Sequence, residues 1–592
     1  MFNIDFQPVG RRGACASDQS LLDCARELSV DLVSICGGIG NCERCKVQVV
    51  SGQVTKPTLE EEASLSKSEL EQGYRLACQA YPLSDVRLHV PPESLTTLQR
   101  TQVEGLEVDI TPEPPVRGRE AHLSAPTLDS PISDDSNLWA GLGLPAGTVD
   151  FHVQQTFSQK LRDLNWNVRV ALRGNEIVAL GAPGTKWLGL AVDIGTTKIA
   201  GYLLDMESGK TLASKGMMNP QISYGEDVIS RIVASSKSAE NAVKLQILLT
   251  EALSQLAADL CAEIKTDSTN IVEAVVVGNT AIHHLFLCLP VKQLGLAPYI
   301  PAMRSSVDIK ARDVGLKIAP GAYIHLLPNI AGYVGADHVA MLLATEIAEA
   351  DKTTLAIDIG TNTEICLNHR GHMTSVSCAS GPAFEGAHIK FGMRAAPGAI
   401  EHVRWSSDWL EIQTIGGEAP VGICGSGLLD VVAQLRLNNV LDRNGRMGVH
   451  SLVRSHNGAP EFVLVEREGQ EAITISQKDV RELQLAKAAI RLGIQALVMA
   501  EGLTENDIEQ VIIAGAFGTY INVESAVTIG MLPALPFERF KQVGNAAGTG
   551  ARLALISQSQ RAEAHQIAQK DGYIELAAVP NFNRKFAEAT YL

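Results

Sequence analysis

The sequence predicts a multidomain protein with a small α+β unit at the N-terminus, a small middle α/β domain and a large two-lobed α/β body. Three observations predict it. Of the six cysteines in the first 92 residues, Cys36, Cys42 and Cys45 fall close together and Cys78 follows on a separate segment. A Pro-, Ser-, Thr- and Asp-rich stretch, TPEPPVRGREAHLSAPTLDSPISDD, then interrupts all periodicity. Beyond residue 187 one strand-and-turn pattern occurs twice, as LGLAVDIGTTKIAGYLLDMESGK (188–210) and TTLAIDIGTNTEICLNHRGH (353–372). A repeat of that length implies two similarly built lobes.

At 592 residues the chain exceeds what one hydrophobic core supports. Its 45% hydrophobic and 20% charged residues are those of a folded protein. A net charge of −16 argues against a nucleic-acid partner. The start, MFNIDFQPVGRR, has no apolar signal-peptide core, and no run reaches the 18 or so apolar residues of a membrane span. No membrane association and a cytoplasmic location are expected by elimination. In that reducing setting the eleven cysteines read as metal ligands or core residues rather than disulfides. Cys15, Cys24, Cys261, Cys288, Cys366, Cys378 and Cys424 show no ligand spacing and are expected to be buried small hydrophobes.

Residues 1–92 read as one unit. Phe2, Ile4 and Phe6 alternate as a strand, and Leu21, Leu22, Ala25 and Leu28 have helical spacing behind Ser20 as N-cap. The loop CGGIGNCERC leads into the strand KVQVVSG, and DVRLHVPP closes the unit. Residues 93–135 are expected to be a linker. Residues 136–186, with the short runs TVDFHVQQTF, WNVRVALRG and EIVALG, form the small middle domain. From 187 to 592 apolar strands alternate with longer helical patterns, in lobes of roughly 187–350 and 351–592.

Cys36-x5-Cys42-x2-Cys45-x32-Cys78 supplies four thiolates, one residue longer in its first gap than the C-x4-C-x2-C of plant-type [2Fe–2S] ferredoxins. Gly37, Gly38 and Gly40 give the loop a backbone able to wrap a cluster closely. Four thiolates also suit structural zinc, but zinc ribbons pair two C-x2-C knuckles and Cys78 stands alone.

In DIGTT (193–197) and DIGTNTE (358–364) an apolar strand ends at Asp and turns through Gly. Backbone N–H groups and hydroxyls in such turns bind phosphate oxygens, and the strand-end Asp suits Mg²⁺. Gly195, Thr196, Thr197 and Lys198 on one side, and Gly360, Thr361, Asn362 and Thr363 on the other, are the expected nucleotide contacts. Asp193, Asp358 and Glu364 are the expected catalytic groups. VIIAGAFGTYIN (511–522) adds a strand and a Gly-rich turn in which Gly515, Ala516 and Gly518 would lie near the nucleoside. GSG at 425–427 and SGP at 380–382 lean toward nucleotide contact as well. His283 and His284 lack a partner at metal-ligand spacing.

These parts resemble the sugar kinase, Hsp70 and actin superfamily in the large body and a β-grasp ferredoxin in the N-terminal unit. In this order of domains, and in SGPAFEGAHIKFGMRAAPGAI (380–400) and AGAFGTYIN (514–522), the whole chain resembles the reductive activators of corrinoid proteins. The resemblance implies an α+β ferredoxin-like domain, a small middle domain and an actin-like ATPase domain, with a [2Fe–2S] cluster, ATP and Mg²⁺ as cofactors. The implied partner is a Co(II) corrinoid protein of a cobalamin-dependent methyltransferase system, which receives one electron and returns to Co(I). A homodimer through the ATP-binding domain is implied too. A plant-type cluster sits near roughly −400 mV, and each ~59 mV uphill costs about tenfold in a one-electron step, which explains a need for ATP. The activators of 2-hydroxyacyl-CoA dehydratases share the ATP fold but bridge a [4Fe–4S] cluster between subunits. That class, and a redox-sensing module without catalysis, are the alternatives.

Overall fold

A computed structural model describes the chain except residues 8, 29, 31, 33–39, 41–44, 92–93, 95–110, 226, 387, 407–408, 457 and 516. Its N-terminal unit is a five-stranded sheet in the order Arg11–Cys15, Phe2–Gln7, Val86–His89, Lys46–Ser51, Tyr74–Leu76. The first strand lies parallel to the last and antiparallel to its hairpin partner, so the two ends of the unit meet at mid-sheet. The alternation of Ile4 and Phe6 puts both in the core, against Leu21, Leu22 and Ala25 of the helix Leu21–Glu27. Ser20 caps that helix as its position predicts, accepting from the Asp23 N–H at 3.1 Å. Cys15 and Cys24, read from sequence as packing residues only, are paired as a disulfide between the second strand and this helix, with Cα atoms 5.7 Å apart.

The segment expected to be a linker contributes a strand, Val116–His122. It pairs antiparallel with Asn167–Arg173 at the edge of a four-stranded sheet that also holds Glu176–Gly181 and Thr148–Val149. An edge strand is held by its backbone hydrogen bonds and needs no apolar alternation, so VRGREAH carries little strand signal. Two helices, Asp134–Leu142 and Phe151–Asp163, cover this sheet with Leu138, Trp139, Phe157 and Leu161.

The large body contains two six-stranded sheets. In the first, Leu188–Ile194 pairs antiparallel with Lys198–Asp205 and parallel with Ile271–Gly278. In the second, Thr354–Ile359 pairs antiparallel with Thr363–His369 and parallel with Gln510–Ala514. The repeat in the sequence is thus a repeat in three dimensions: each Asp-Ile-Gly-Thr turn follows a central strand buried on both faces. The chain does not keep strictly to its lobes. Helices Ala546–Ile556 and Gln558–Lys570 return from the second half to pack in the first core through Leu553, Leu555 and Ile567. The helix Gln477–Ala500 is long and apolar enough to cross a membrane, yet most of it is buried in the second lobe.

Candidate functional site

The two Asp-Ile-Gly-Thr turns face each other across a cavity of about 210 Å³ between the lobes. Asp193, Gly195, Thr196, Thr197 and Lys198 line it from one side, with Asp358, Gly360, Thr361, Asn362, Glu364 and Gly515 from the other. The turns touch: the hydroxyls of Thr197 and Thr361 are 3.2 Å apart. Both donate to one carboxylate, Glu385, which accepts from Thr197 at 2.6 Å and also from Thr361.

The first turn is braced from behind. Asn279 Nδ2 donates to Thr196 Oγ1 at 3.0 Å, and Asn219 Nδ2 to the Gly195 carbonyl at 2.9 Å. Arg231, fully buried, donates to the carbonyls of Thr196 and Gly225. Asn545 Nδ2 holds Asp193 Oδ2 at 2.9 Å. Gly515 sits at φ +91°, and a Cβ there would lie 2.5 Å from Asp358 Oδ1. Only glycine allows that backbone so close to the carboxylate.

Asp193, Asp337, Asp358 and Glu364 form an acidic group in this cleft. Burial pushes the Asp193 carboxyl up to about 6. Burial and the charge on Asp193 push Asp358 up to about 7. Asp337 rises to about 8 through burial and the charges on Asp193 and Asp358. Burial, together with Asp337 and Asp358, raises Glu364 well above the carboxylate range. The register explains part of this, because Glu364 stands directly across the hairpin from Asp358. Like charges in opposed strand positions repel. Three helices, Ala336–Ala344, Gly425–Leu437 and Ala546–Ile556, bring Asp337, Gly425 with Ser426, and Ala547 to the cleft from their first turns. Their partly positive N-termini favour anions in the same space. The chemistry of this acidic group suits a divalent cation with phosphates: the carboxylate donors are oxygen, and two opposite charges would relieve the repulsion among them.

Two expected contacts fall outside the cleft lining. Thr363 is the strand neighbour of Glu364 and therefore points to the opposite face, where its hydroxyl meets Ser380 Oγ at 2.9 Å. Gly518 packs its Cα against the Ala514 carbonyl. Ala516 lies outside the described residues. In the first lobe Ala200, not Lys198, occupies the position across from Asp193 that Glu364 takes across from Asp358. The second turn is one residue shorter, so Lys198 and Glu364 are not structural equivalents, although Lys198 still lines the cleft. Of the glycine-marked segments, Gly425 and Ser426 reach the cavity, whereas Ser380 supports the second turn by donating to the Thr361 carbonyl at 3.3 Å. His283 and His284 are buried in the first core.

Sequence reading missed Asp337, Glu385, Asn279, Asn545 and Arg394. A signal existed for three of them. VVVGNT and KQVGNA both end a strand at Gly-Asn, and each Asn caps the following helix, while Asp337 opens an apolar helix after Gly335. Glu385 closes the short 3-10 helix Pro382–Glu385 and Arg394 lies in the loop beyond it; the marked segment SGPAFEGAHIKFGMRAAPGAI contains both but singles out neither.

In the N-terminal unit Cys45 and Cys78 are both buried. The Ala77 N–H donates to the Cys45 carbonyl at 2.9 Å, tying together the two segments that carry them. Gln79 Nε2 lies 3.7 Å from Cys78 Sγ, and Gly40 has φ +91° with the Gln79 side chain where a Cβ would go. Buried thiols beside an amide donor and a tight glycine turn fit an iron–sulfur cluster. Cys36 and Cys42, with Gly37 and Gly38, lie outside the described residues.

Family models match the chain in sequence order: a 2Fe-2S iron-sulfur cluster binding domain (4–83), the RACo linker region (105–186), the RACo middle region (188–350) and the C-terminal ASKHA domain of RACo (352–592). A corrinoid activation enzyme, RamQ, from Eubacterium limosum is 33% identical over 588 residues, covering 96% of this chain and 95% of its own length. A [Co(II) methylated amine-specific corrinoid protein] reductase from Methanosarcina barkeri is 26% identical, covering 67% and 75%. Among solved structures, a reductive activator for a corrinoid, iron-sulfur protein superposes with a TM-score of 0.73 at 35% identity, covering 100% of this chain and 98% of that one. With its cysteine-bearing N-terminal unit and its two-lobed acidic cleft matched in order and nearly end to end, the chain belongs to the RACo family of reductive activators of corrinoid proteins.

Proposed function

We propose that this protein is an ATP-dependent reductive activator that passes one electron to the inactive Co(II) corrinoid of a methyltransferase system and so regenerates Co(I). The observation that carries the reading is the near end-to-end match to RamQ, in a chain that joins a thiolate-bearing module to an acidic two-loop cleft. Cys36, Cys42, Cys45 and Cys78 would hold a [2Fe–2S] cluster, which would supply single electrons at low potential. The protein's own part is to bury two of these ligands and to place an amide donor beside Cys78.

In the cleft, Asp193 and Asp358 would hold Mg²⁺, with Asp337 close enough to share its field. The hydroxyls of Thr196, Thr197 and Thr361, the backbone of Gly195 and Gly360, and Asn362 and Lys198 receive the phosphates. Glu364, whose carboxyl is made more basic by burial and by Asp337 and Asp358, would in its ionised form take a proton from the attacking water. Gly515 keeps the backbone tight against Asp358. We read residues 1–92 as the electron-carrying module and 187–592 as the ATP-binding body. The partner is a corrinoid protein, and the activator works in the cytoplasm, as a dimer through the ATP-binding body.

The test uses anaerobically purified, chemically reduced protein mixed with a Co(II) corrinoid protein from the same genome. Growth of the Co(I) absorption band that depends on Mg-ATP is expected. No band with several corrinoid proteins, despite an intact cluster and measurable ATPase, would refute corrinoid activation.

A further inference from the structure

The N-terminal ferredoxin domain docks on both lobes of the ATP-binding body. On the first lobe, His89 Nδ1 meets Ser223 Oγ at 2.6 Å. Ser223 belongs to the short helix Pro220–Tyr224, capped by the same Asn219 that holds the Gly195 carbonyl. On the second lobe, Arg11 donates to the Gly392 carbonyl at 3.3 Å, approaches Met393 Sδ at 3.3 Å and reaches the Val421 carbonyl at 3.4 Å. The next residue of that loop, Arg394, lines the nucleotide cleft.

Arg394 is buried, at 6% exposure, and its Nε and Nη1 have no hydrogen-bond partner. On one side its Nε stands 3.9 Å from Glu385, the carboxylate that takes a hydroxyl from each phosphate turn. On the other side its guanidinium presses on the ferredoxin hairpin: a Cβ at Gly10 would lie 2.9 Å from Nη1. Asp5 of the same domain also acts on it electrostatically.

We propose that Arg394 couples nucleotide binding to docking of the ferredoxin domain, so that a phosphate in the cleft draws the guanidinium from the Gly10 turn and loosens the docked domain. This rests on the cleft being the ATP site. A phosphoryl oxygen competes with Glu385 for the hydroxyls of Thr197 and Thr361, because both are anionic acceptors for the same donors. Repelled by that charge, Glu385 gives up Arg394, whose unpaired N–H groups then turn to the phosphate. The loop 391–394 moves with Arg394, and it carries the carbonyl and the sulfur that hold Arg11. Docking also spans the cleft from Ser223 to Gly392, so it fits one separation of the lobes only. Linkage then requires the reverse effect: a docked ferredoxin domain weakens nucleotide binding by the same factor. Arg394 is a positioning residue in this scheme, with no part in the chemistry.

The experiment is hydrogen exchange by mass spectrometry on the holoprotein, with and without a Mg²⁺-bound non-hydrolysable ATP analogue, alongside calorimetric titration of the analogue. Residues 9–15 of the ferredoxin hairpin do not line the cleft, so their exchange reports docking. The analogue is expected to raise exchange there. Arg11→Ala, which removes docking contacts without touching the cleft, is expected to bind the analogue on the order of tenfold more tightly. Arg394→Gln, which loses the guanidinium's contact with the phosphate, is expected to bind it more weakly and, at saturating analogue, to leave exchange at residues 9–15 unresponsive. Binding with unchanged or slower exchange at 9–15 in the wild type, or an unchanged affinity in Arg11→Ala, overturns the coupling. Absence of any binding overturns the ATP reading instead.

Discussion

Replacing Asp358 with Asn should stabilise the protein at alkaline pH while destroying its ATPase activity. Asp358 is half-buried behind the second turn, across the hairpin from Glu364 and within the field of Asp193. Its carboxyl rises from 3.8 to about 7, and a rise of about three pH units corresponds to roughly 4 kcal/mol of unfavourable ionisation in the folded state. The sign follows from proton linkage. Between pH 4 and 7 the folded chain holds a proton here that the unfolded chain has lost, so stability falls as pH rises through that window. Asn has the same shape and no charge, and it is spared this loss. Thermal unfolding of the ATP-binding body in EDTA should therefore show Asp358→Asn more stable than the wild type at pH 8, by up to about 4 kcal/mol. The difference should shrink to roughly 1.5 kcal/mol at pH 5 and vanish below about pH 4, where the carboxyl is protonated in the folded and the unfolded chain alike. ATPase should be lost while the visible absorption of the cluster is unchanged. A variant less stable than the wild type at pH 8, an equal difference at both pH values, or a normal ATPase would refute the assignment.

The remaining predictions use the same geometry. Binding of Mg²⁺-nucleotide should release protons between about pH 6 and 8, since Asp193, Asp358 and Asp337 titrate there and the cation favours their ionised forms. Calorimetry in buffers of different ionisation enthalpy measures this directly, and no buffer dependence would contradict it. Cys78→Ser should abolish the cluster absorption and Co(II) reduction yet leave ATPase intact, because Cys78 belongs to the separate N-terminal core. Gly515→Ala places a methyl 2.5 Å from Asp358 Oδ1 at φ +91°, so it should cost about 1–3 kcal/mol and weaken nucleotide binding. A variant binding Mg-ATP as tightly as the wild type would show that the close approach is dispensable.

Much of this molecule was legible in the sequence because its signals are local. Alternation at Phe2, Ile4 and Phe6, the Ser20 cap, the cysteine spacing and the two Asp-Ile-Gly-Thr turns are each written within a few consecutive residues, and backbone geometry translates such patterns directly. The repeat announced two lobes, and the structure has two matching sheets. What tertiary structure alone decided is everything that depends on distant segments meeting. Glu385 gathers Thr197 and Thr361 from turns far apart in the chain, and Asn545 reaches Asp193 only because the helix Ala546–Ile556 crosses back to the first lobe. The face on which Thr363 lies was settled by where strand Thr363–His369 begins, since a shift of one residue exchanges the two faces of a strand. The edge strand Val116–His122 escaped notice because backbone pairing leaves no mark on side-chain pattern. Arg394 shows the limit most plainly. It falls in the 380–400 segment that carries the family resemblance, but nothing there singles out this arginine, and its meaning comes from being buried between a carboxylate in one domain and a glycine turn in another.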